Sequence, residues 1–342
     1  MTISKSILGS LLGKNVYKIT LSNGVIDVAL TNYGATVMSL FIPDKFGNKI
    51  NVVAGFDSLE EYVENTTKIG ATVGRVAGRI ANGKFEIDKK EYNTTINQKG
   101  NTLHGGVEGF DKKVWDLVEY SLTDRKVTFA YISPDGEEGF PSTLKVNATY
   151  TLTDDNSLKI EYEAVSDGDT IVSLMNHSYF NLDGDGSGEV FETKLLINSD
   201  IITPPNECGV VDGTLLNVKN TVYDFTLERK IGDVSKTVFP SGNTYDVNYL
   251  FDTSYKKIAS AKSEKSGIVM DAYSNADGMQ LYLPIRLKGK YIDYPNYSFF
   301  CLETQRVPNA INCKNLPSPM IKKGDKYYSR TEYRFSFLTD VK

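Results

Sequence analysis

The sequence is poor in the features on which several protein classes depend. Its three cysteines, Cys208, Cys301 and Cys313, are an odd number without a CxxC pair, which argues against a disulfide framework and a zinc site. No apolar stretch approaches the roughly 18 residues of a membrane helix. The apolar runs before Lys14 are too weak for a signal peptide. We therefore expect a cytoplasmic protein that has no membrane partner.

The sequence also has no large excess of positive or negative charge. The 342 residues carry 38 Lys and Arg against 43 Asp and Glu, a formal net charge of -5, so nothing attracts the chain globally to nucleic acid. Hydrophobic residues make up 40% and charged residues 24%, as in ordinary folded domains. Because no linker or fixed-period repeat marks a boundary, one domain over residues 1–342 is expected, as a monomer or a homodimer.

Period-two alternation of apolar and polar residues is the dominant pattern. Residues 16–21 and 25–30 predict a β-hairpin around a Ser-Asn-Gly turn. The best of the few helix signals is Ser58, which has capping-box spacing to Glu61. Further strands are predicted at 37–42, 84–88, 91–96, 114–120, 127–133, 144–153 and 158–165. The pattern predicts an all-β fold, a large antiparallel sandwich or barrel with few short helices.

The common sequence signatures of nucleotide and calcium sites are absent. No segment has the GxxxxGK[ST] spacing of a phosphate-binding loop, and no GxSxG nucleophile elbow occurs. Residues 183–188 match the first half of a calcium loop, but position 12 of that loop would be Lys194, which repels a cation. We interpret this run as a glycine-rich surface turn.

Only two histidines occur, His104 and His177, so any imidazole chemistry must use one or both. His104 is followed by two glycines, which allow a tight turn and close backbone approach to a ligand. His177 follows the apolar run 171–175, so we expect it at or near the end of a buried strand.

Two carboxylates, Asp246 and Glu303, have polar neighbours inside apolar surroundings. Four apolar residues precede Glu303, which places it at the inward end of a core strand. A carboxylate there is costly unless it is paired, hydrogen-bonded or protonated. Taken by itself, Glu303 is therefore either a catalytic group or a structural acid that binds backbone amides or Arg306.

Several of these segments occur together in one order along the chain. They are GRVAGRIA at 74–81, NTLHGG at 101–106, GFDK at 109–112, NHSYFNL at 176–182, Tyr-Asp at 245–246 and LETQ at 302–305. Together they resemble the aldose 1-epimerase (galactose mutarotase) family, from about Leu30 to Phe337. The resemblance implies a β-supersandwich whose cleft interconverts the α and β anomers of free sugars such as galactose and glucose, without metal or cofactor.

The resemblance also implies roles for individual residues. Glu303 would be the general base that takes the proton of the C1 hydroxyl, and His177 the general acid that protonates the ring oxygen. His104 would be a second donor beside that oxygen. For this chemistry Glu303 must be ionised while His177 carries a proton, and a nearby carboxylate favours the imidazolium.

Further residues would hold the sugar. By resemblance, Arg79, Asp246 and Gln280 hydrogen-bond its hydroxyls, whereas Arg75 more plausibly forms a structural ion pair. The positions of Val247, Gly78 and Arg306 depart from the family pattern, so we expect an altered cleft rim. The preferred sugar stays open among hexoses, pentoses and disaccharide reducing ends.

Three alternative functions remain open at this point. A glycoside hydrolase would use Asp246 and Glu303 as its carboxylate pair. A hexose-6-phosphate epimerase would present Arg79, Arg286 and Arg306 to a dianion. The third alternative is a non-catalytic carbohydrate-binding protein.

Overall fold

The computed structural model describes residues 2–235 and 245–338, and most of its elements are strands. The strands of the first half are β1 (Thr2–Leu11), β2 (Lys14–Ser22), β3 (Asp27–Thr31), β4 (Thr36–Pro43), β5 (Lys49–Asn51), β6 (Thr72–Val73), β7 (Arg79–Ile80), β8 (Lys84–Ile87), β9 (Lys90–Asn93), β10 (Thr102–Leu103), β11 (Asp116–Ser121), β12 (Lys126–Ser133), β13 (Leu144–Leu152) and β14 (Ser157–Ser166).

The second half continues the same architecture. Its strands are β15 (Thr170–Ile171), β16 (Met175–Asn176), β17 (Lys194–Ile197), β18 (Ile201–Thr203), β19 (Leu216–Asn217), β20 (Arg229–Lys230), β21 (Asp246–Leu250), β22 (Lys256–Lys262), β23 (Ile268–Ser274), β24 (Gly278–Tyr282), β25 (Cys301–Gln305), β26 (Met320–Ile321) and β27 (Lys326–Phe337). The helices are α1 (Leu59–Glu64) and α2 (Gly232–Ser235), with 3₁₀ turns at Ala81–Gly83, Phe110–Lys112, Glu137–Gly139, Gly289–Tyr291 and Ala310–Asn312.

Three large antiparallel sheets organise these strands. The first has the order β1-β2-β3-β4-β5, the second β11-β12-β13-β14-β27-β23-β22-β17-β20, and the third β19-β18-β21-β24-β25. Four separate two-stranded sheets accompany them, namely β7 with β10, β8 with β9, β6 with β16 and β15 with β26. The all-β fold expected from the sequence is confirmed.

Alternation along the strands builds one shared core. In β14, Leu158 and Ile160 are buried, while Lys159 and Glu161 between them are partly exposed, as a period-two strand requires. Leu40 of the first sheet, Ile160 of the second and Leu281 of the third belong to the same cluster of buried side chains. The three sheets therefore enclose a continuous interior.

Local predictions can be compared with these elements. Strands β2 and β3 form the predicted hairpin, although Val25 and Ile26 fall in its turn. The other predicted segments each overlap a strand, whereas β1 was not foreseen. The capping box is present, because Ser58 accepts from the backbone of Glu61 and the Glu61 carboxylate accepts in return. Within residues 2–235 and 245–338, no helix is long and apolar enough to cross a membrane.

Candidate active site

The third sheet has one apolar face and one polar face. Val247, Leu281 and Leu302 on adjacent strands are buried in the core. Because successive side chains in a strand point to opposite faces, the residues between them turn the other way. They form two cross-strand rows, Asp246–Tyr282–Cys301 and Asn248–Gln280–Glu303. The apolar alternation thus determines which face carries the polar groups.

Glu303 is the central residue of β25, not its end residue as predicted. Its side chain lies on the polar face opposite Gln280. Arg306, which the sequence offered as a partner, instead donates to the buried Asp277 carboxylate at 2.8 Å. The pairing of Glu303 with Arg306 that we considered from the sequence is therefore not formed.

His177 follows the short strand β16, and its main chain is held on both sides. Its amide donates to Ala71 O at 2.9 Å, and its carbonyl accepts from the Gly70 amide at 2.8 Å. The imidazole stacks on the Tyr179 ring with a centroid separation of 4.7 Å. Since these contacts fix both backbone and ring, the side chain is preorganised. The expected position at a strand end is confirmed.

His104 follows β10 in a turn with φ of 51°. Its amide donates to Gly78 O at 2.9 Å, and its Nδ1 accepts the Gly78 N–H at 3.2 Å. An Nδ1 that accepts carries no proton, so neutral His104 holds its proton on Nε2. Gly105 (φ 82°) packs closely against the carbonyl of Gly74. The glycines after His104 were expected to allow close backbone approach to a ligand, but here the close contact is with the protein's own backbone.

The fold brings these three residues together from distant parts of the chain. His177 Nε2 lies 3.5 Å from Glu303 Oε1, and the centroids of the two imidazoles are 5.4 Å apart. A ligand atom from each of His104, His177 and Glu303 lies within 4.8 Å of the others. A carboxyl group and two imidazole rings therefore meet at one point.

Burial determines the protonation of this pair. It raises the pKa of Glu303 well above 4.5, with a further rise from Asp246 and an opposing effect of Arg79. Burial, helped by the charge of Lys68, lowers the pKa of His177 to about 3. Burial therefore favours neutral His177 and protonated Glu303. The expected ionised Glu303 beside an imidazolium is not the favoured state, because both charges are desolvated.

The sugar-binding candidates line the same cavity. Asp246 Oδ1 accepts from Gln280 Nε2 at 2.6 Å, while Asp246 Oδ2 lies 3.8 Å from Arg79 Nη2. Arg79 Nε also donates to Gln98 Oε1 at 2.7 Å. All six candidate residues border one cavity of about 260 Å³. That volume lies just below the ~300–1,000 Å³ typical of drug-sized ligand sites and suits a small polar molecule.

Sequence reasoning missed several residues of the cavity wall. Lys68 borders it, and its ammonium is 2.6 Å from the buried Asp111 carboxylate. Tyr179 and Tyr282 contribute aromatic rings beside His177. Tyr179 belongs to the NHSYFNL segment and Asp111 to GFDK, so those motifs carried a signal. Lys68 carried none.

Other highlighted residues lie elsewhere. Arg75 is buried and donates to the carbonyls of Pro141 and Ser142, so its role is structural, through carbonyl oxygens and not the expected ion pair. Arg286 donates to Asn296, outside the cavity wall. Val247 is a core residue.

Gly78 is the one departure from the family pattern that borders the cavity. Val247 and Arg306 are not among its lining residues, so the expectation that both alter the cleft rim is wrong. Val247 points into the core because of strand alternation, and Asp277 holds Arg306 away.

Two imidazoles and a carboxylate are also a familiar metal donor set. A histidine that binds a metal through Nε2 normally donates its Nδ1–H to a neighbour. Here the Gly78 N–H donates to His104 Nδ1, so that nitrogen cannot carry a proton as well. The His104 environment therefore suits a hydrogen-bond donor and does not fit a metal ligand.

Comparison with known proteins identifies the family. The family model described as aldose 1-epimerase matches residues 17–334. The chain belongs to the aldose 1-epimerase family. It is 37% identical over 345 residues to galactose mutarotase from Bos taurus, covering 98% of this chain and 99% of that protein. It is 34% identical over 332 residues to aldose 1-epimerase from Escherichia coli K12, covering 92% of this chain and 93% of that protein.

A solved structure supports the same assignment for this aldose 1-epimerase family member. Galactose 1-epimerase from Lactobacillus acidophilus superposes with a TM-score of 0.88 and 26% identity, covering 99% of each chain. The likeness spans both the sheets and the segments that carry the cavity.

Proposed function

We propose that this protein is an aldose 1-epimerase, an isomerase that interconverts the α and β anomers of free aldoses such as galactose and glucose. The observation that carries the proposal is the 3.5 Å approach of His177 Nε2 to Glu303 Oε1 in a cavity of about 260 Å³. Mutarotation needs one base and one acid, and these two groups can fill both roles.

The pair carries one transferable proton. Ring opening of a closed pyranose requires that proton on His177 and Glu303 as a carboxylate. Glu303 takes the proton of the C1 hydroxyl, the C1–O5 bond breaks as C1=O forms, and O5 takes the His177 proton. The products are the open-chain aldehyde, protonated Glu303 and neutral His177.

Ring closure reverses these transfers after rotation about C1–C2. The O5 hydroxyl returns its proton to His177 while it attacks the other face of C1. Glu303 then protonates the former carbonyl oxygen. Burial favours neutral His177 and protonated Glu303, which is the proton state that accompanies the open-chain sugar, so desolvation of both charges favours ring opening.

The remaining wall residues would hold the substrate. His104 presents Nε2–H as a second donor near the ring oxygen, since its Nδ1 is occupied by the Gly78 amide. Arg79, Asp246 and Gln280 are linked to one another and would bind hydroxyls.

Cations available to a phosphate are scarce at this site. Of the three arginines considered for a dianion, only Arg79 borders the cavity, and it faces Asp246. Lys68 is paired with Asp111. This arrangement supports a neutral sugar over a sugar phosphate.

Polarimetry of freshly dissolved α-galactose and α-glucose tests the proposal. Wild-type protein should accelerate the relaxation of optical rotation, and Glu303→Gln and His177→Asn should each lower the rate by about 10²–10⁴-fold. If wild type is no faster than buffer for any aldose tried, the proposed function is wrong.

We also propose a cytoplasmic location and a monomer or homodimer. Cys208, Cys301 and Cys313 are free thiols, which suits a reducing compartment. Light scattering of the purified chain would measure its mass.

A further inference from the structure

The turn that carries His104 has an unusual backbone. His104, Gly105 and Gly106 all have positive φ, at 51°, 82° and 102°. Successive left-handed residues continue neither a strand nor an α-helix, so other groups must satisfy the polar main-chain atoms around them. A left-handed histidine is itself unfavourable, and such a conformation persists only where the surroundings hold it.

Glu138 holds the end of this turn that follows His104. Its Oε2 accepts from the Val107 amide at 3.0 Å, and its Oε1 accepts from the Glu108 amide at 3.0 Å. A Cβ on Gly106 would overlap the same carboxylate, so the second glycine after His104 leaves room for Glu138. Hydrogen bonds to an ionised carboxylate are roughly twice as strong as neutral ones.

Asn97 holds the main chain on both sides of His104. Its Oδ1 accepts from the Leu103 amide at 2.7 Å. Its Nδ2 donates to Leu103 O at 3.0 Å and to Gly106 O at 2.8 Å. The side chains of Asn97 and Glu138 therefore make five hydrogen bonds to the main chain around His104.

Both side chains act from outside the cavity. His104 borders the cavity, whereas Glu138 and Asn97 are not among its lining residues. Val107 and Glu108 are exposed, so packing in the core does not fix this segment. Any effect of Glu138 or Asn97 on the chemistry must therefore pass through the turn.

We propose that Glu138 and Asn97 are positioning residues for mutarotation, which hold the turn so that His104 Nε2 points into the cavity. This inference rests on the proposed function, in which His104 is the second donor near the ring oxygen. A displacement of about 1 Å in a group at a reacting centre can lower the rate by as much as 10²-fold.

A double-mutant cycle tests the proposal. Glu138→Gln turns an NH₂ group toward a main-chain N–H, and Asn97→Ala removes three hydrogen bonds. Each substitution should lower kcat for galactose mutarotation by about tenfold. In the His104→Ala background each should cost less than about twofold, because the residue through which both act is gone.

Glu137→Gln is the matched control. Glu137 lies on the same 3₁₀ turn as Glu138, but its carboxylate accepts from the Tyr131 and Ser133 hydroxyls, each at 2.5 Å. This control should lower Tm while kcat stays within about twofold of wild type. All rates are measured below the lowest Tm of the set.

Nitrogen-15 spectra give a readout that does not depend on activity. The chain has two histidines, so histidine labelling gives two imidazoles, and His177→Asn assigns them. Wild-type His104 should be neutral and protonated on Nε2, because burial lowers its pKa well below 6.5 and Nδ1 accepts from the Gly78 amide. Glu138→Gln and Asn97→Ala should shift both nitrogens toward the average of the two tautomers, whereas Glu137→Gln should match wild type.

The outcomes distinguish the two proposals. An equal loss of kcat with and without His104, or an unchanged His104 spectrum, would overturn the positioning role of the residue substituted. A kcat loss in Glu137→Gln as large as in Glu138→Gln would overturn it for Glu138. If wild type accelerates no mutarotation, the proposed function fails instead, and the spectra alone then decide whether Glu138 and Asn97 hold His104.

Discussion

Glu303 and His177 show how a functional site can oppose stability at the level of single residues. Both side chains are almost completely buried, at 3% and 4% exposure, and burial disfavours the charged form of each. A core of the same volume without ionisable groups would not carry this penalty. Both residues that we assign to proton transfer carry this cost.

Glu303→Gln should therefore stabilise the protein while it removes activity. The folded-state pKa of Glu303 is raised, so the folded protein binds a proton that the unfolded chain releases above about pH 4.5. Stability then falls as pH rises from that value toward the raised pKa, and glutamine avoids this loss. We expect a higher Tm than wild type at pH 7, and a gain that shrinks toward pH 4.5.

Thermal melts at both pH values measure this effect. His177→Asn offers a comparison, because its low folded-state pKa costs stability only as pH falls below the usual histidine value of about 6.5. A Glu303→Gln gain that grows toward low pH would contradict the assigned direction of the shift.

The pH dependence of catalysis should follow the proton shared by the pair. The active form holds one transferable proton, so kcat/KM falls at high pH when that proton is lost. Asp246 raises the pKa of Glu303 and Arg79 lowers it. Asp246→Asn should move the alkaline limb to lower pH, and Arg79→Gln should move it to higher pH.

Normalised kcat/KM profiles separate this shift from the weaker sugar binding that both variants also cause. The other ionisable neighbours, His104, Lys68, Cys301 and the two cavity tyrosines, stay unchanged in each. If the alkaline limb of the kcat/KM profile stays in place, or moves in the same direction in both variants, Glu303 is excluded as the group that titrates.

Residue identity alone predicted the candidate groups but not their charge. Only two histidines were available, and Glu303 lay in an apolar run, so both could be found in the sequence. The protonation state depends on burial and on charges from distant segments, among them Lys68, which has no local signal. Such effects arise only when distant segments pack together.

At the scale of elements, the strands were predictable and the loops that complete the cavity were not. Strand β25 and its neighbours follow from alternation, which places Glu303 and Gln280 on one face. The segment around Gly209 has no such period, yet it borders the cavity beside Arg79. Gly209 contributes by leaving space for the Arg79 side chain, and the sequence around a glycine does not predict which side chain will pack against it.

Gly209→Ala tests this loop. Gly209 has φ of 79°, and a Cβ there would lie 2.9 Å from Arg79 Cζ. Arg79 is held by Gln98 and faces Asp246, so displacing it should raise KM for the aldose by roughly tenfold. The left-handed backbone should also cost about 1–2 kcal/mol of stability.

Gly136→Ala is the matched control. Gly136 has a similar φ of 81°, but nothing lies within 4 Å of the added Cβ. This control should lose similar stability in chemical denaturation without a change in KM. Equal KM values for the two variants would show that crowding of Arg79 has no effect on binding.

At the scale of the whole molecule, the shared core supports the prediction that the chain is a single domain. Buried side chains of all three sheets form one cluster, and Trp115, the single tryptophan, lies between Phe110 and Tyr131 within it. A continuous core favours cooperative unfolding. Trp115 fluorescence and far-ultraviolet circular dichroism should therefore give the same urea midpoint.

Leu281→Ala makes this test sharper, because Leu281 is fully buried in the third sheet, the sheet that carries Glu303. A large-to-small substitution there should cost about 2–5 kcal/mol. If the chain is one domain, the loss lowers the fluorescence and dichroism midpoints together, even though Trp115 belongs to a distant segment. A dichroism step that moves while the Trp115 transition stays fixed would mean that the sheet bearing the active-site carboxylate unfolds as a separate domain.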